Sequence, residues 1–283
     1  MFTLVSVCLL AAAGAETLDT VDVRLPDRTP PAVFVTPEEA ARARARCMEP
    51  AWQPLCASLL ESARVQLERP LDIPREGGQP ERLYSCPHDA TELRAVSPID
   101  HRCPTCERAF SGWPYDQVYV LRRHRYWLQR LPYLGFAYLL EQDPAYARRA
   151  REILLTYADL YPSLRRRDRN NEQEGASAAR LSGQSLDEAN ILTSAMIGYD
   201  VVQGDPVFSA ADRARIEQHF IRPSVRLLQS VQPGLSNIWA WHNAAVGAAG
   251  AVLGDEELVA WALNGEFGLI EQLNRAPLPS GMW

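Results

Sequence analysis

Apolar positions recur at helical spacing through most of the chain, and capping signals divide the pattern into segments. Thr36-Pro37-Glu38-Glu39 combines an N-cap, a first-turn proline and a glutamate at N3, so a helix is expected to start there and run to about Glu68. Pro50 and Pro54 should split it in two. A single helix is expected over Leu121–Glu141, kinked at Pro132, and another from Asp143-Pro144 to about Tyr161. Ser185-Leu186-Asp187-Glu188 reads as a capping box opening a helix to Val202. Ser209 caps a helix through Phe220, which Pro223 interrupts before the apolar run to Leu228. Residues 236–255 are apolar almost all round and stop at Gly254. The pattern then continues to Asn274, with Gly265 and Gly268 as weak points. Helices joined by connections this short lie antiparallel, and repeated pairs build α/α barrels and toroids, so the expected fold is all-α.

Three stretches escape this period. Residues 16–35, rich in Asp and Pro, read as an extended lead-in to a toroid domain over 36–283. Residues 163–181 are a polar loop whose composition offers no packed core. Residues 69–116, full of Pro and Gly, form a non-helical insertion containing YSCPHD and HRCPTC, and so Cys86, His88, His101, Cys103 and Cys106. Cys103-x-x-Cys106 suits one metal ion, and Cys86 with His88 would complete a tetrahedron for structural zinc. One disulfide plus a spare thiol is the competing reading; a redox pair lacks the βαβ surroundings it needs. Cys47 and Cys56 flank Pro50: about 13 Å apart on a continuous helix, they can pair only if the chain folds back there, and two buried thiols are the alternative.

Composition changes this picture little. The net charge of -6 gives no sign of a nucleic-acid partner. Arg122-Arg123-His124-Arg125 and Arg165 to Arg169 are basic clusters that read first as solvated helix ends or loops, and otherwise as contacts for a polyanion. Residues 1–15 form a short apolar run ending in Ala13-Gly14-Ala15, as in a secretory signal peptide, so a secreted or periplasmic protein without a membrane span is expected.

The chemistry concentrates at the start of 236–255, in Asn237, Trp239, Trp241, His242 and Asn243. With about 3.6 residues per turn, His242 and Asn243 share a face with Trp239 between them, while Trp241 and Asn237 point the other way. A satisfied core histidine is the plain alternative, but polar groups crowded on one buried helix end need partners or a ligand.

The segment N-x-W-x-W-H-N-A-A-x-G, followed by small residues and LGD, resembles the heparinase II/III-like and alginate lyase-like polysaccharide lyases. Weaker resemblance extends from Tyr84, including Ser111 to Asp116 (SGWPYD) and Ser182-Gly183-Gln184. The resemblance implies an α/α toroid followed by a β-sandwich that this sequence does not contain, so a toroid incomplete at its C-terminal end is expected. It implies β-elimination at a uronic acid in an anionic polysaccharide. His242 would lie beside the substrate carboxylate or move a proton, Asn243 or Asn237 would supply an amide donor, and Trp239 and Trp241 a stacking wall. Gln184 and Glu188 would touch sugar, although capping alone also accounts for Glu188. The family's catalytic tyrosine would fall beyond Trp283. No organic cofactor is implied, and the oligomeric state is left open. An α/α-toroid glycoside hydrolase using Asp187, Glu188 or Glu266, and a non-catalytic polysaccharide-binding domain, are the other readings.

Overall fold

The computed structural model describes residues 17–26, 30–173, 175, 177–231 and 234–275; the signal-peptide reading over 1–15 lies outside them. The helices are α1 (Pro37–Cys47), α2 (Gln53–Glu68), α3 (Tyr115–Leu128), α4 (Leu131–Glu141), α5 (Pro144–Leu160), α6 (Ser185–Val202), α7 (Ala210–Ile216), α8 (Arg222–Ser230), α9 (Asn237–Leu253), α10 (Glu256–Asn264) and α11 (Leu269–Arg275). α4 and α6 run the same way, Leu131 against Gly198 and Gly135 against Val201. α5 packs beside α7 and the turn that follows it, Arg151 bonding Asp212 at 2.7 Å and Tyr157 and Tyr161 meeting Phe220. α9 lies along α6 and returns as α10, with Gly250 against Leu258 and Val259. Consecutive helices such as α4 with α5 and α9 with α10 thus pack against each other, while α4, α6 and α9 succeed one another side by side, as in an α/α toroid.

α6 carries this arrangement because it is buried around nearly its whole circumference, its apolar residues interrupted by the buried carboxylates of Asp187, Glu188 and Asp200. Gly198 makes its closest packing possible: a Cβ there would lie 2.5 Å from the Leu131 carbonyl carbon. The caps at Thr36 and Ser209 form as the sequence indicates, Thr36 boxed by Glu39 and Ser209 also by Asp212, and Gly254 ends α9 in the left-handed region at φ 69°.

Several expectations are corrected. The helix expected over Leu121–Glu141 is two, α3 and α4, because Pro132 sits in the first turn of α4, where its missing N–H has no helical acceptor to lose. Ser185 is not the cap of α6. Gln184 is, in extended conformation, and Glu188 turns its carboxylate to the N–H groups of Leu181 (2.8 Å) and Arg180 (3.2 Å). Pro223 does not interrupt the helix after α7; a π-helical turn over Glu217–Ile221 shifts the register and leaves Pro223 in the first turn of α8. The polar loop 163–181 does feed the core, burying Leu164, Ala178, Ala179 and Leu181, with Asp168 accepting the N–H groups of Asn170 and Glu172 at 2.8 Å.

Cys47 and Cys56 form a disulfide, since the turn at 48–52 brings their Cα atoms to 5.8 Å. The insertion holds a three-stranded antiparallel sheet of β1 (Arg94–Ser97), β2 (Asp100–Arg102) and β3 (Ala109–Phe110) over a small core of Tyr84, Cys86, Leu93, Cys103 and Val118. His101, fully buried, joins it to α3: Tyr84 Oη donates to Nδ1 at 2.6 Å, and Nε2–H donates to Asp116 at 3.0 Å. The first basic cluster is neutralised rather than solvated. Arg122 pairs with Glu92 and lies 4.3 Å over the Tyr84 ring, Arg123 pairs with Asp72, and Arg125 bridges Glu81 and Asp187.

The lead-in lies across the last helices. Asn274 bonds the N–H and carbonyl of Leu18, Asn264 those of Val21, and Glu256 accepts the Leu25 N–H. Farther on, the buried Asp200 carboxylate accepts the N–H groups of Val33 and Phe34 at 3.0 Å. Asp200→Ala leaves these donors without a carboxylate and should lower stability by roughly 2–4 kcal/mol, read as a lower urea midpoint with faster proteolysis before Thr36; an unchanged midpoint would show that the lead-in is not anchored there.

Candidate functional site

The start of α9 divides as its period requires. Trp239, His242 and Asn243 face inward, His242 fully buried, while Asn237 is exposed and Trp241 is 40% exposed. The inward group is closed over by α10 and the bend after it. The Trp239 ring lies 5.9 Å from His242, 5.9 Å from Trp261 and 5.3 Å, edge to face, from Phe267. Asn243 Nδ2 donates to the Phe267 carbonyl at 2.8 Å, which also accepts from Gln272 Nε2 at 3.0 Å. Phe267 is left-handed at φ 60°, and its N–H is held by Glu271 at 2.6 Å. The sequence pattern does not single out Trp261, Phe267 or Gln272; the only trace of them is the helical weak point at Gly265 and Gly268, which lets the bend turn back over α9.

Among the described residues, four buried atoms in this group have no well-formed hydrogen bond: Trp239 Nε1, both ring nitrogens of His242, which has only the Leu228 carbonyl nearby, and Asn243 Oδ1. Burial holds His242 well below an ordinary histidine, at about 4, with the Leu228 carbonyl as the opposing influence. The imidazole is therefore neutral at pH 7, able to take a proton or give one N–H but not to act as a fixed cation. Asn243 spends one amide hydrogen on Phe267 and keeps the other.

Gln184 stands half-buried at the start of α6. Glu188 is buried beside Tyr161, and burial raises its pKa while the Leu181 and Arg180 N–H groups oppose the rise. Among the described residues no hydrogen bond or ring contact joins either side chain to His242. Gln79, fully buried, donates to the Asp168 carbonyl at 3.1 Å and abuts Gly183, where a Cβ would lie 2.3 Å from its Oε1. This seam between insertion, loop and α6 was not legible in the sequence.

The sequence model of the alginate lyase family matches residues 79–276. The chain belongs to the alginate lyase family. It is 33% identical over 205 residues to the exo-oligoalginate lyase of Saccharophagus degradans, covering 69% of this chain and 26% of that protein. To the alginate lyase of Stenotrophomonas maltophilia it is 34% identical over 169 residues, 57% of this chain and 22% of that protein. The chain thus spans about a quarter of the length of these curated relatives. Against the crystal structure of alginate lyase A1-III from Sphingomonas species A1 the TM-score is 0.44 at 18% identity, covering 71% of this chain and 55% of that one. No helix among the described residues of this family member is long and apolar enough to cross a membrane.

A second group could hold a metal ion: Cys86, Asp89, Cys103 and Cys106 offer ligand atoms within 4.8 Å of one another. His88 is not among them. It is exposed, its ring beside Phe110, and Asp89 stands in the group in its stead.

His242 and His124 predict a pH dependence. His124, between Tyr157 Oη and the Glu76 carbonyl, is likewise held at about 4 by burial. Unfolding lets both take up protons below about 6.5, so stability is complete above that pH and falls as pH drops toward 4, by roughly 3 kcal/mol for each histidine. The urea midpoint should fall between pH 7 and pH 4.5, and less steeply in a His124→Gln/His242→Gln variant; a flat profile would contradict neutral burial.

Proposed function

We propose that this chain is the α/α-toroid part of a polysaccharide lyase that cleaves a uronate-containing polysaccharide by β-elimination. The observation that carries the reading is the cluster of unpartnered buried atoms on Trp239, His242 and Asn243. Buried polar groups without partners are costly, and they persist where a ligand or a neighbouring segment completes them. The family match and the names of both curated relatives support alginate or its oligomers as the substrate class.

β-Elimination removes the proton on the carbon next to the uronate carboxylate and expels the glycosidic oxygen. Charge growing on that carboxylate needs donors in a site from which water is excluded, and the free amide hydrogen of Asn243 is of that kind. A neutral His242 is suited to moving the proton. Trp239 gives the group an apolar wall, and the exposed Trp241 offers a face on which a sugar ring can stack. Gln184 remains a candidate sugar contact. Asn237, exposed on the far side from His242, fits the amide-donor role less well than Asn243. Export fits the Cys47–Cys56 disulfide, which persists in oxidising compartments such as the periplasm or the medium. A structural zinc ion in the insertion is part of the same reading.

The test is ultraviolet absorbance of unsaturated uronate ends released from alginate and oligo-alginate by the full-length gene product. Absorbance should rise, and His242→Ala should lower kcat/KM roughly 10²- to 10⁴-fold with helix content unchanged. New reducing ends without absorbance would identify a hydrolase instead, and binding without turnover a non-catalytic module; either result overturns the proposal.

A further inference from the structure

The turns that open at Cys86 and Cys103 have the same construction. Each cysteine precedes a proline, Pro87 or Pro104. The N–H four residues on donates to the cysteine carbonyl, Ala90 to Cys86 at 2.8 Å and Glu107 to Cys103 at 3.1 Å. The N–H of each cysteine donates to the carbonyl five residues on, at Thr91 (2.8 Å) and Arg108 (3.0 Å). Ala90 and Glu107 are both left-handed, at φ 58° and 60°, a region non-glycine residues seldom enter. Matched turn on turn, CPHDA lies over CPTCE, and Asp89 takes the place of Cys106.

The distances fit one tetrahedral ion. A Zn–S bond of about 2.3 Å implies a sulfur–sulfur edge of about 3.8 Å. Cys86 Sγ and Cys106 Sγ are 3.6 Å apart, and Cys103 Sγ is 3.3 Å from the nearer Asp89 oxygen. A disulfide would need about 2.05 Å, and all three thiols are free. Cys103 Sγ also accepts the N–H groups of Thr105 and Cys106 at 3.4 Å, as a metal-bound thiolate does, and Thr91 N–H holds the Asp89 carboxylate at 3.0 Å.

We infer that these twin turns hold one zinc ion through Cys86, Asp89, Cys103 and Cys106. Four protein ligands leave no open position, so the ion is structural. Its role follows from the size of the insertion's core: four buried apolar side chains of its own, packed on Val118 of α3, are too few to fix nearly fifty residues, and small units of this kind rely on a metal or disulfides. The site orders the turns on either side of the β1–β2 hairpin, and so places His101 against Tyr84 and Asp116. It deepens the lyase reading only in its zinc; it does not depend on catalysis, because metal content is measured without substrate.

The test is zinc per chain in the full-length protein purified without chelator, by plasma mass spectrometry, with thermal melting. One zinc per chain is expected, and chelation should lower the Tm. His88→Ala should keep both zinc and Tm, whereas Asp89→Ala should weaken zinc binding at least about tenfold. Should Asp89→Ala not fold, Asp89→Cys decides: loaded with cobalt, it should show a stronger thiolate-to-metal charge-transfer band than the parent. Zinc lost in His88→Ala but kept in Asp89→Ala, an unchanged band in Asp89→Cys, or a metal-free protein with a Cys86–Cys106 disulfide would each overturn the assignment.

Discussion

Two carboxylates in the first turn of α6 must be satisfied inside the protein, and much of the architecture is arranged around them. Glu188 collects the Leu181 and Arg180 N–H groups, and Asp187 accepts Ser182 Oγ at 2.6 Å and the guanidinium of Arg125. Both stand at a helix N-terminus, where negative charge is favoured. Those bonds draw the loop 163–184 down onto the helix, and Gly183 brings Gln79 with it. Arg125 carries the same connection through Glu81 to Arg122 and the insertion. Three segments far apart in sequence are therefore registered by one largely buried helix turn.

The start of α9 is built on aromatic packing instead. The face that packs against α10 is rich in aromatic rings, and among the described residues Trp239 Nε1 and Asn243 Oδ1 on it have no hydrogen-bond partner, although Asn243 Nδ2 is held by the Phe267 carbonyl. Unpartnered buried atoms also occur at the α6 seam, on Gln79, Ser185 and Glu188, but there they stand among carboxylates and backbone N–H groups, whereas at α9 they gather on one aromatic-walled spot. The left-handed Phe267 belongs to that spot, since its conformation aims the carbonyl that holds Asn243.

The helices were legible because their apolar period and capping residues agree, and the same period separated Trp239, His242 and Asn243 from Asn237 and Trp241. The errors have specific causes. Pro132 and Pro223 were read as kink and break, yet each sits in a helix's first turn, which spacing alone does not reveal. Ser185 has the sequence of a cap, but burial of Glu188 drew that carboxylate to a neighbouring loop. Asp89 was not singled out beside the three cysteines because a C-x-H spacing does not show that CPHDA and CPTCE fold alike. The Cys47–Cys56 bond needed the chain direction at Pro50, which no local signal fixes.

The lead-in also constrains the order of assembly. Leu18 is bonded to Asn274 across 256 positions, and Val21 to Asn264 across 243. Contacts of such long sequence separation form late, after the helices between them have docked. A ribosome extends a chain from its N-terminus, so residues 17–26 emerge long before Asn264 and Asn274 exist to receive them. Until then they have no partner in this part of the fold, and their docking closes the arc rather than nucleating it.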